Sequence, residues 1–262
     1  MRWSNILALT TLWRQSFVNA RVPADGARSP AARIAGYDWR SLANDLDSFG
    51  YAIVPGLLRP EECRTIAAFY PDESRFRSRI LMAQHGFGKG EYRYFSYPLP
   101  NLIAAFRTAL YARLVSVANG WTDRLGLDER YPDSHAAFLE RCHAAGQQRP
   151  TPLLLKYVAG DFNRLHQDVY GDLVFPIQVV ILLSDPGEDF SGGEFVLTEQ
   201  RPRMQTQAEV VPLRQGDAVA FAVHSRPVQG SKGAYRVTLR HGVSRIRSGM
   251  RYTVGIIFHD AT

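Results

Sequence analysis

The second half of the chain constrains the fold most. From Thr151 onward, short apolar and β-branched runs are cut at close intervals by turn-forming clusters: Asp185-Pro186-Gly187, Ser191-Gly192-Gly193, Gln215-Gly216-Asp217 and Ser248-Gly249. Strands are predicted over Leu153–Val158, Arg164–Val169, Pro176–Ser184, Glu194–Thr198, Glu209–Pro212, Ala218–Ala222, Tyr235–His241 and Tyr252–Phe258. Strands this short, punctuated in this way, predict a sandwich or jelly roll.

The first half reads differently. A helix is predicted over Trp39–Ser48, capped by Asp38 and stopped by Gly50, with a strand over Tyr51–Val54. Pro60, followed by Glu61 and Glu62, starts a second helix reaching about Phe69. Strand-like pieces lie at Arg79–Ala83 and Tyr92–Phe95. A longer helix follows Asn101 with an apolar stripe of Leu102, Phe106, Leu110, Leu114 and Val117, and another spans Ser134–Ala145. Helices packed on one face of a β-rich core make the expected class α+β.

Composition narrows the classes of function. With 262 residues and 45% hydrophobic side chains the chain can bury one sizeable core. No run approaches the ~18 consecutive apolar residues of a membrane span, so a soluble, cytoplasmic protein with no membrane partner is expected. Cys63 and Cys142 lack the spacing of a zinc site or a disulfide framework and read as buried free thiols. The net charge is +6, but Arg2, Arg14, Arg21, Arg28 and Arg33 against Asp25 place +4 of it in residues 1–36. That stretch, rich in Ala, Arg and Pro, is expected to be a disordered leader before a single domain over 37–262.

The stretch that carries chemistry is Tyr157 to Asp168. On a strand, residues two apart share a face, so His166 and Asp168 converge on one point. Two imidazoles and a carboxylate form the facial triad of non-haem iron oxygenases, which leaves coordination positions for a chelating co-substrate and O₂. On residue grounds the third ligand is His224 or His241, with His259 an outsider. A turn at Ser248-Gly249 would return the chain so that Arg251 lies near His241 across a hairpin. There its guanidinium matches the far carboxylate of a dicarboxylic co-substrate.

In order along the chain, Tyr157 with Gly160, the His166-x-Asp168 pair, Leu183-Ser184-Asp185, Gly192-Gly193-Glu194-Phe195, Gly216-Asp217, Phe221, and His241 ten residues before Arg251 resemble one known pattern. It is the double-stranded β-helix core of the 2-oxoglutarate/iron(II) dioxygenase superfamily, in the branch containing prolyl 4-hydroxylases. The resemblance implies that residues 151–262 form that core and residues 37–150 its helical support and substrate-facing segment. It implies iron(II) held by His166, Asp168 and His241, and 2-oxoglutarate anchored by Arg251 with hydroxyls from Thr253 and Tyr157. It also implies C–H hydroxylation coupled to decarboxylation of 2-oxoglutarate, with loss of formaldehyde where the carbon is an N-methyl group.

For the substrate, Arg75, Arg77, Arg79, Lys89 and Arg93 alternate with Phe76, Phe87, Tyr92, Tyr94, Phe95 and Tyr97, and seven Lys/Arg with no acid fall between Arg226 and Arg251. Cations meet phosphates and rings stack on exposed bases, which suggests a nucleic-acid partner. The whole chain, including His85-Gly-Phe-Gly and Tyr97-Pro-Leu-Pro, resembles a bacterial family proposed to oxidise alkylation damage in nucleic acid, by analogy with AlkB-like dioxygenases. It departs from AlkB-like enzymes at Ile257, where they carry a second arginine. Peptidyl (prolyl) hydroxylation, then a small-metabolite substrate, and an inactive, purely binding scaffold are the alternatives.

Overall fold

A computed structural model describes residues 29–262. Five α-helices are described: α1 (Pro30–Ala35), α2 (Trp39–Phe49), α3 (Pro60–Ala67), α4 (Asn101–Arg124) and α5 (His135–Ala144). The strands of the first half are β1 (Tyr51–Val54), β2 (Phe76–Leu81), β3 (Gly88–Lys89) and β4 (Glu91–Phe95). Those of the second are β5 (Leu153–Val158), β6 (Phe162–His166), β7 (Ile177–Leu182), β8 (Phe190–Gly192), β9 (Phe195–Gln200), β10 (Gln207–Val211), β11 (Ala218–Ala222), β12 (Ser225–Gly230), β13 (Gly233–Val243) and β14 (Ile246–Ile256). They form two antiparallel sheets. The larger runs β1-β11-β7-β14-β5-β4-β2, with β8 beside β14; the smaller runs β10-β9-β13-β6-β3, with β12 beside β13.

The centre of the larger sheet, at β11, β7 and the end of β14, is buried on both sides, and the alternation of these strands divides the labour. Ile177, Val179 and Ile181 of β7, Ala218, Ala220 and Ala222 of β11, and Val254 and Ile256 of β14 join the core built with the helices. The small side chains of β11 let α2 approach the sheet closely. The opposite face of the same strands looks into the sandwich, where Val219 and Phe221 meet Phe195 and Leu197 of β9. The architecture is the expected α+β sandwich with helices on one face.

Local signals explain most boundaries. Asp38 accepts from the backbone of Arg40 and Ser41, each at 3.1 Å, and Gly50 closes α2 in the left-handed conformation. Ser134 caps α5 through Ala137 N–H (3.2 Å). Two expectations shift, and a strand is additional. The strand predicted over Arg164–Val169 lies at Phe162–His166, so Asp168 sits just beyond it. Ser225–Gly230 is a strand despite Pro227, because β12 pairs with β13 alone and an edge tolerates a missing N–H. The stripe predicted on α4 is also broader than Leu102 to Val117: it buries Arg107 beside Phe106 and Tyr111.

Arg107 is 1% exposed. It bonds Asp260 (2.8 Å) and the carbonyls of Ile257 (2.8 Å) and His259 (3.1 Å), tying α4 to the chain that leaves β14. An arginine in a helix stripe is read from sequence as solvated; here a buried carboxylate makes it internal. Most of the leader expected over 1–36 lies outside the described residues. Its end, however, forms α1, where Arg33 is buried and pairs with Glu62 at 2.7 Å. Cys63 and Cys142 are buried free thiols. Among the described residues no helix is long and apolar enough to cross a membrane.

The packing around Arg107 makes a pH prediction. His135, whose Nε2 meets the Phe258 carbonyl at 2.8 Å, and His259, whose Nδ1 accepts from Phe175 N–H at 3.2 Å, are both buried. Burial first, and then the charge of Arg107, pushes each imidazole from 6.5 down to about 4. Between those values the unfolded chain binds protons the folded chain refuses, so stability should fall as pH drops from 6.5 towards 4. Urea unfolding across that range should show the decline, and His259→Asn should flatten part of it. An unchanged slope in the variant would place the titration elsewhere.

Candidate metal centre and co-substrate cavity

β6 and β13 pair so that His166 and His241 are direct cross-strand partners, and their rings lie 4.2 Å apart. Asp168 follows two residues after the strand end and turns back between them. Its Oδ1 is 3.4 Å from Nε2 of His166 and its Oδ2 is 3.3 Å from Nε2 of His241. The three donor atoms lie within 4.8 Å of one another. Ligands at ~2.1 Å from one ion, set roughly at right angles, are separated by ~3 Å, so the spacing suits a shared metal. The Arg164 carbonyl, 2.7 Å from Nδ1 of His166, accepts a hydrogen bond from Nδ1–H, the tautomer in which the Nε2 lone pair is available to coordinate. His241 is held differently: the rings of Phe221 (4.7 Å) and Phe195 (6.0 Å) pack on it.

The electrostatics match a site built for a cation. Burial pushes the Asp168 carboxyl up, but hydrogen bonding and charge from the two histidines outweigh it and hold the group well below the ordinary carboxylate range. Burial also opposes charge on His166, yet Asp168 and the Arg164 carbonyl raise it. His241 is lowered, by burial first and then by the neighbouring His166. The two imidazoles flanking one carboxylate are thus driven apart, with charge disfavoured on His241 and favoured on His166.

The geometry chooses among the candidate histidines. The donor cluster contains His241; His224 and His259 are outside it. His259 is spent on the Phe175 backbone, and His85 stacks on Phe87 at 5.3 Å. The expected hairpin is corrected. The chain reverses between Val243 and Ile246, while Ser248 and Gly249 lie inside β14, paired with Ser191 and Phe190 of β8. β13 and β14 belong to different sheets, so His241 and Arg251 face each other across the sandwich rather than along a ladder.

Between them is a cavity of about 160 Å³. Along β14 its wall runs Arg251, Thr253, Gly255, then Ile257. β5 supplies Tyr157 beside Arg251, Leu155 beside Thr253 and Leu153 beside Gly255. Arg251 is 1% exposed, and its Nε and Nη1 have no hydrogen-bond partner. The rings of Tyr157 and Phe190 lie 5.7 and 5.8 Å from the guanidinium, Glu194 acts on it through charge without an ion pair, and burial, the largest influence, lowers its pKa to about 10. The Tyr157 hydroxyl is likewise buried without a partner. Gly193 makes room for this arginine: it adopts φ +65°, and a Cβ there would fall 3.0 Å from Arg251 Cδ and 2.2 Å from Ile246 Cδ1. A buried cation with two unmet donors, facing three convergent ligands across a cavity, fits a dicarboxylate that chelates a metal.

Two cavity residues were not singled out from the sequence. Tyr170 donates its hydroxyl to Asp168 Oδ1 (2.8 Å), and Gln178 donates Nε2 to Asp168 Oδ2 (2.9 Å). Gln178 had a signal, as the lone polar side chain in the apolar run Ile177–Leu182.

The basic, aromatic segment is less cationic than it reads. Arg75 pairs with Asp72 (2.9 Å), Arg79 with Glu91, Arg93 with Glu73 (3.3 Å) and Lys89 with Asp161 (3.7 Å), while Arg77 lies over the Tyr94 ring at 4.5 Å. Of the later cations, Arg226 is buried against Glu199 and Arg251 is in the cavity; Lys232, Arg236, Arg240, Arg245 and Arg247 are exposed. Phe87, Tyr92 and Tyr170 line the cavity.

Residues 90–261 match the model of a family, Oxygenase-NA, described as an oxygenase catalysing oxidative methylation of damaged DNA. Two uncharacterised proteins of Mycobacterium tuberculosis, from strains CDC 1551 / Oshkosh and ATCC 25618 / H37Rv, are each 51% identical over 167 residues, covering 64% of this chain and 72% of theirs. A prolyl-4-hydroxylase of Pseudomonas putida superposes with a TM-score of 0.51 at 15% identity, covering 86% of this chain and 99% of its own. A prolyl hydroxylase of Trichoplax adhaerens, solved with a hypoxia inducible factor peptide fragment, gives 0.53 at 15% identity, covering 85% and 89%. At that identity these structures speak for the fold.

The unpaired cation sets a test. Arg251→Met should stabilise the ligand-free protein, by an amount on the order of the 1–4 kcal/mol found when buried ion pairs give way to apolar side chains. It should also abolish the rise in melting temperature that 2-oxoglutarate with a divalent metal gives the parent. A destabilised variant, or one that keeps the ligand-induced shift, would show that Arg251 is satisfied within the fold.

Proposed function

This chain belongs to the Oxygenase-NA family, and on that premise we propose that it is an iron(II)- and 2-oxoglutarate-dependent oxygenase that removes methyl groups from alkylated nucleic-acid bases by hydroxylating them. The single observation that carries the co-substrate is the buried, unpartnered guanidinium of Arg251 facing the His166, Asp168 and His241 donors across one cavity.

His166, Asp168 and His241 would hold the iron. When bound, iron(II) with 2-oxoglutarate and O₂ supplies oxidation of a C–H bond, the co-substrate leaving as succinate and CO₂. This chain's residues do the placing. Arg251 binds the distal carboxylate as a charge-assisted pair, and the Tyr157 and Thr253 hydroxyls donate to the same group. Leu153, Leu155, Val180 and Ile257 line the cavity and exclude water. Burial disfavours the charged form of His241, which favours its use as a neutral ligand.

For the substrate, the family description names damaged DNA, and the rings of Phe87, Tyr92 and Tyr170 at the cavity offer faces for a flat base taken out of its stack. A peptide is the second reading. It is favoured by the acid partners that neutralise most of the cations between Arg75 and Arg93, which leaves fewer charges for a phosphate backbone.

His166→Ala and Asp168→Ala should each bring iron-dependent succinate release from 2-oxoglutarate down to background while the fold is retained; activity surviving in both would refute the metal assignment. With the parent enzyme, methylated single-stranded DNA, methylated RNA and proline-containing peptides should be compared for formaldehyde release and for oxygen insertion by mass. Formaldehyde from a methylated nucleic acid is expected. A hydroxylated peptide with inert nucleic acids would overturn the substrate in favour of the second reading.

A further inference from the structure

The segment that carries Asp168 also carries the groups that grip it. Tyr170, two residues on, donates to Oδ1, and Gln178, ten residues on, donates to Oδ2. With a donor on each oxygen, rotating the carboxylate breaks both bonds. Gln178 is 3% exposed, its Nε2 is also 3.3 Å from Nε2 of His241, and its Oε1 is buried with no partner. An orphaned amide oxygen is unfavourable in a buried site, a cost that an apolar side chain of similar length would avoid. Packing alone therefore does not account for a glutamine here.

The segment is itself pinned. Gln147, 1% exposed, donates Nε2 to the carbonyls of Tyr170 (3.3 Å), Leu173 (3.0 Å) and Asp260 (2.6 Å), and its Oε1 accepts from Leu173 N–H (2.8 Å). Gly171 permits that approach, because a Cβ there would lie 2.5 Å from Gln147 Cδ. Asp260 is in turn held by Arg107 (2.8 Å). The position of the Tyr170 hydroxyl thus traces back to the buried core.

The geometry points to Tyr170 and Gln178 as positioning residues that fix the plane of the Asp168 carboxylate and so set the affinity of the site for a divalent metal. This rests on the metal reading proposed above. Groups that orient a ligand from behind typically govern metal affinity by 10–100-fold. Neither side chain needs to touch the metal or the substrate for this role.

The test uses the full chain and cobalt(II) alone, without 2-oxoglutarate, so that turnover plays no part. Parent, Tyr170→Phe, Gln178→Leu and His241→Ala proteins are titrated while the visible absorption of bound cobalt is recorded, and urea unfolding is followed in parallel. Tyr170→Phe and Gln178→Leu should each weaken cobalt binding by about 10–100-fold and alter the band shape, while their unfolding midpoints do not fall. His241→Ala should bind none. If the parent binds cobalt and both positioning variants keep its affinity and spectrum, the inference is overturned while the metal centre stands. If the parent takes up no cobalt, the metal reading fails and this one with it. Should Gln178→Leu not fold, the near-isosteric Tyr170→Phe decides alone.

Discussion

A strand buried on both sides must satisfy two layers at once, and the larger sheet meets that constraint by alternation. On β14, Val254 and Ile256 pack with the helices, while Arg251 and Thr253 face the cavity. On β7, Ile177, Val179 and Ile181 pack with the helices while Gln178 and Val180 face inward. A one-residue slip in either strand would exchange the two sets, putting a guanidinium among the helices. The helix layer therefore secures more than stability: by claiming every second residue it fixes which side chains the cavity receives.

What the cavity receives is unfavourable by folding criteria alone. Arg251 forms no ion pair among the described residues, Tyr157 and Gln178 carry unmet polar atoms, and the three potential ligands hold their donor atoms within 4.8 Å of one another. Elsewhere in the same interior, buried charges are paired: Arg107 with Asp260, Arg33 with Glu62, Arg226 with Glu199. That contrast, within one protein, separates the groups kept for structure from those left open to a ligand. The strain is tolerated because the surrounding sheets and helices over-determine the positions involved.

The charge distribution carries a related lesson. Alternating cations and rings between Arg75 and Tyr97 look like a surface for phosphates and bases, yet folding brings Asp72, Glu73, Glu91 and Asp161 to those cations and spends Arg77 on a tyrosine ring. A basic run in sequence counts charges; only the fold says which remain uncompensated. The aromatic part of the pattern survives better, since Phe87 and Tyr92 reach the cavity.

The sequence by itself determined the sandwich, the strands that build it, the His166 and Asp168 pair and an arginine suited to a carboxylate. All of these follow from local periodicity, turn chemistry and short spacing, which a linear text preserves. Tertiary structure supplied the reason why His241, to which the resemblance already pointed, and not His224 completes the cluster: the register of β6 against β13 makes His241 the cross-strand partner of His166. It also decided that Arg251 faces the ligands from the opposite sheet, that Arg107 is internal, and that Tyr170 and Gln178 grip Asp168. Each of these is set by pairings between distant segments, and the free energy of such pairings lies in burial and partner geometry that no local pattern encodes.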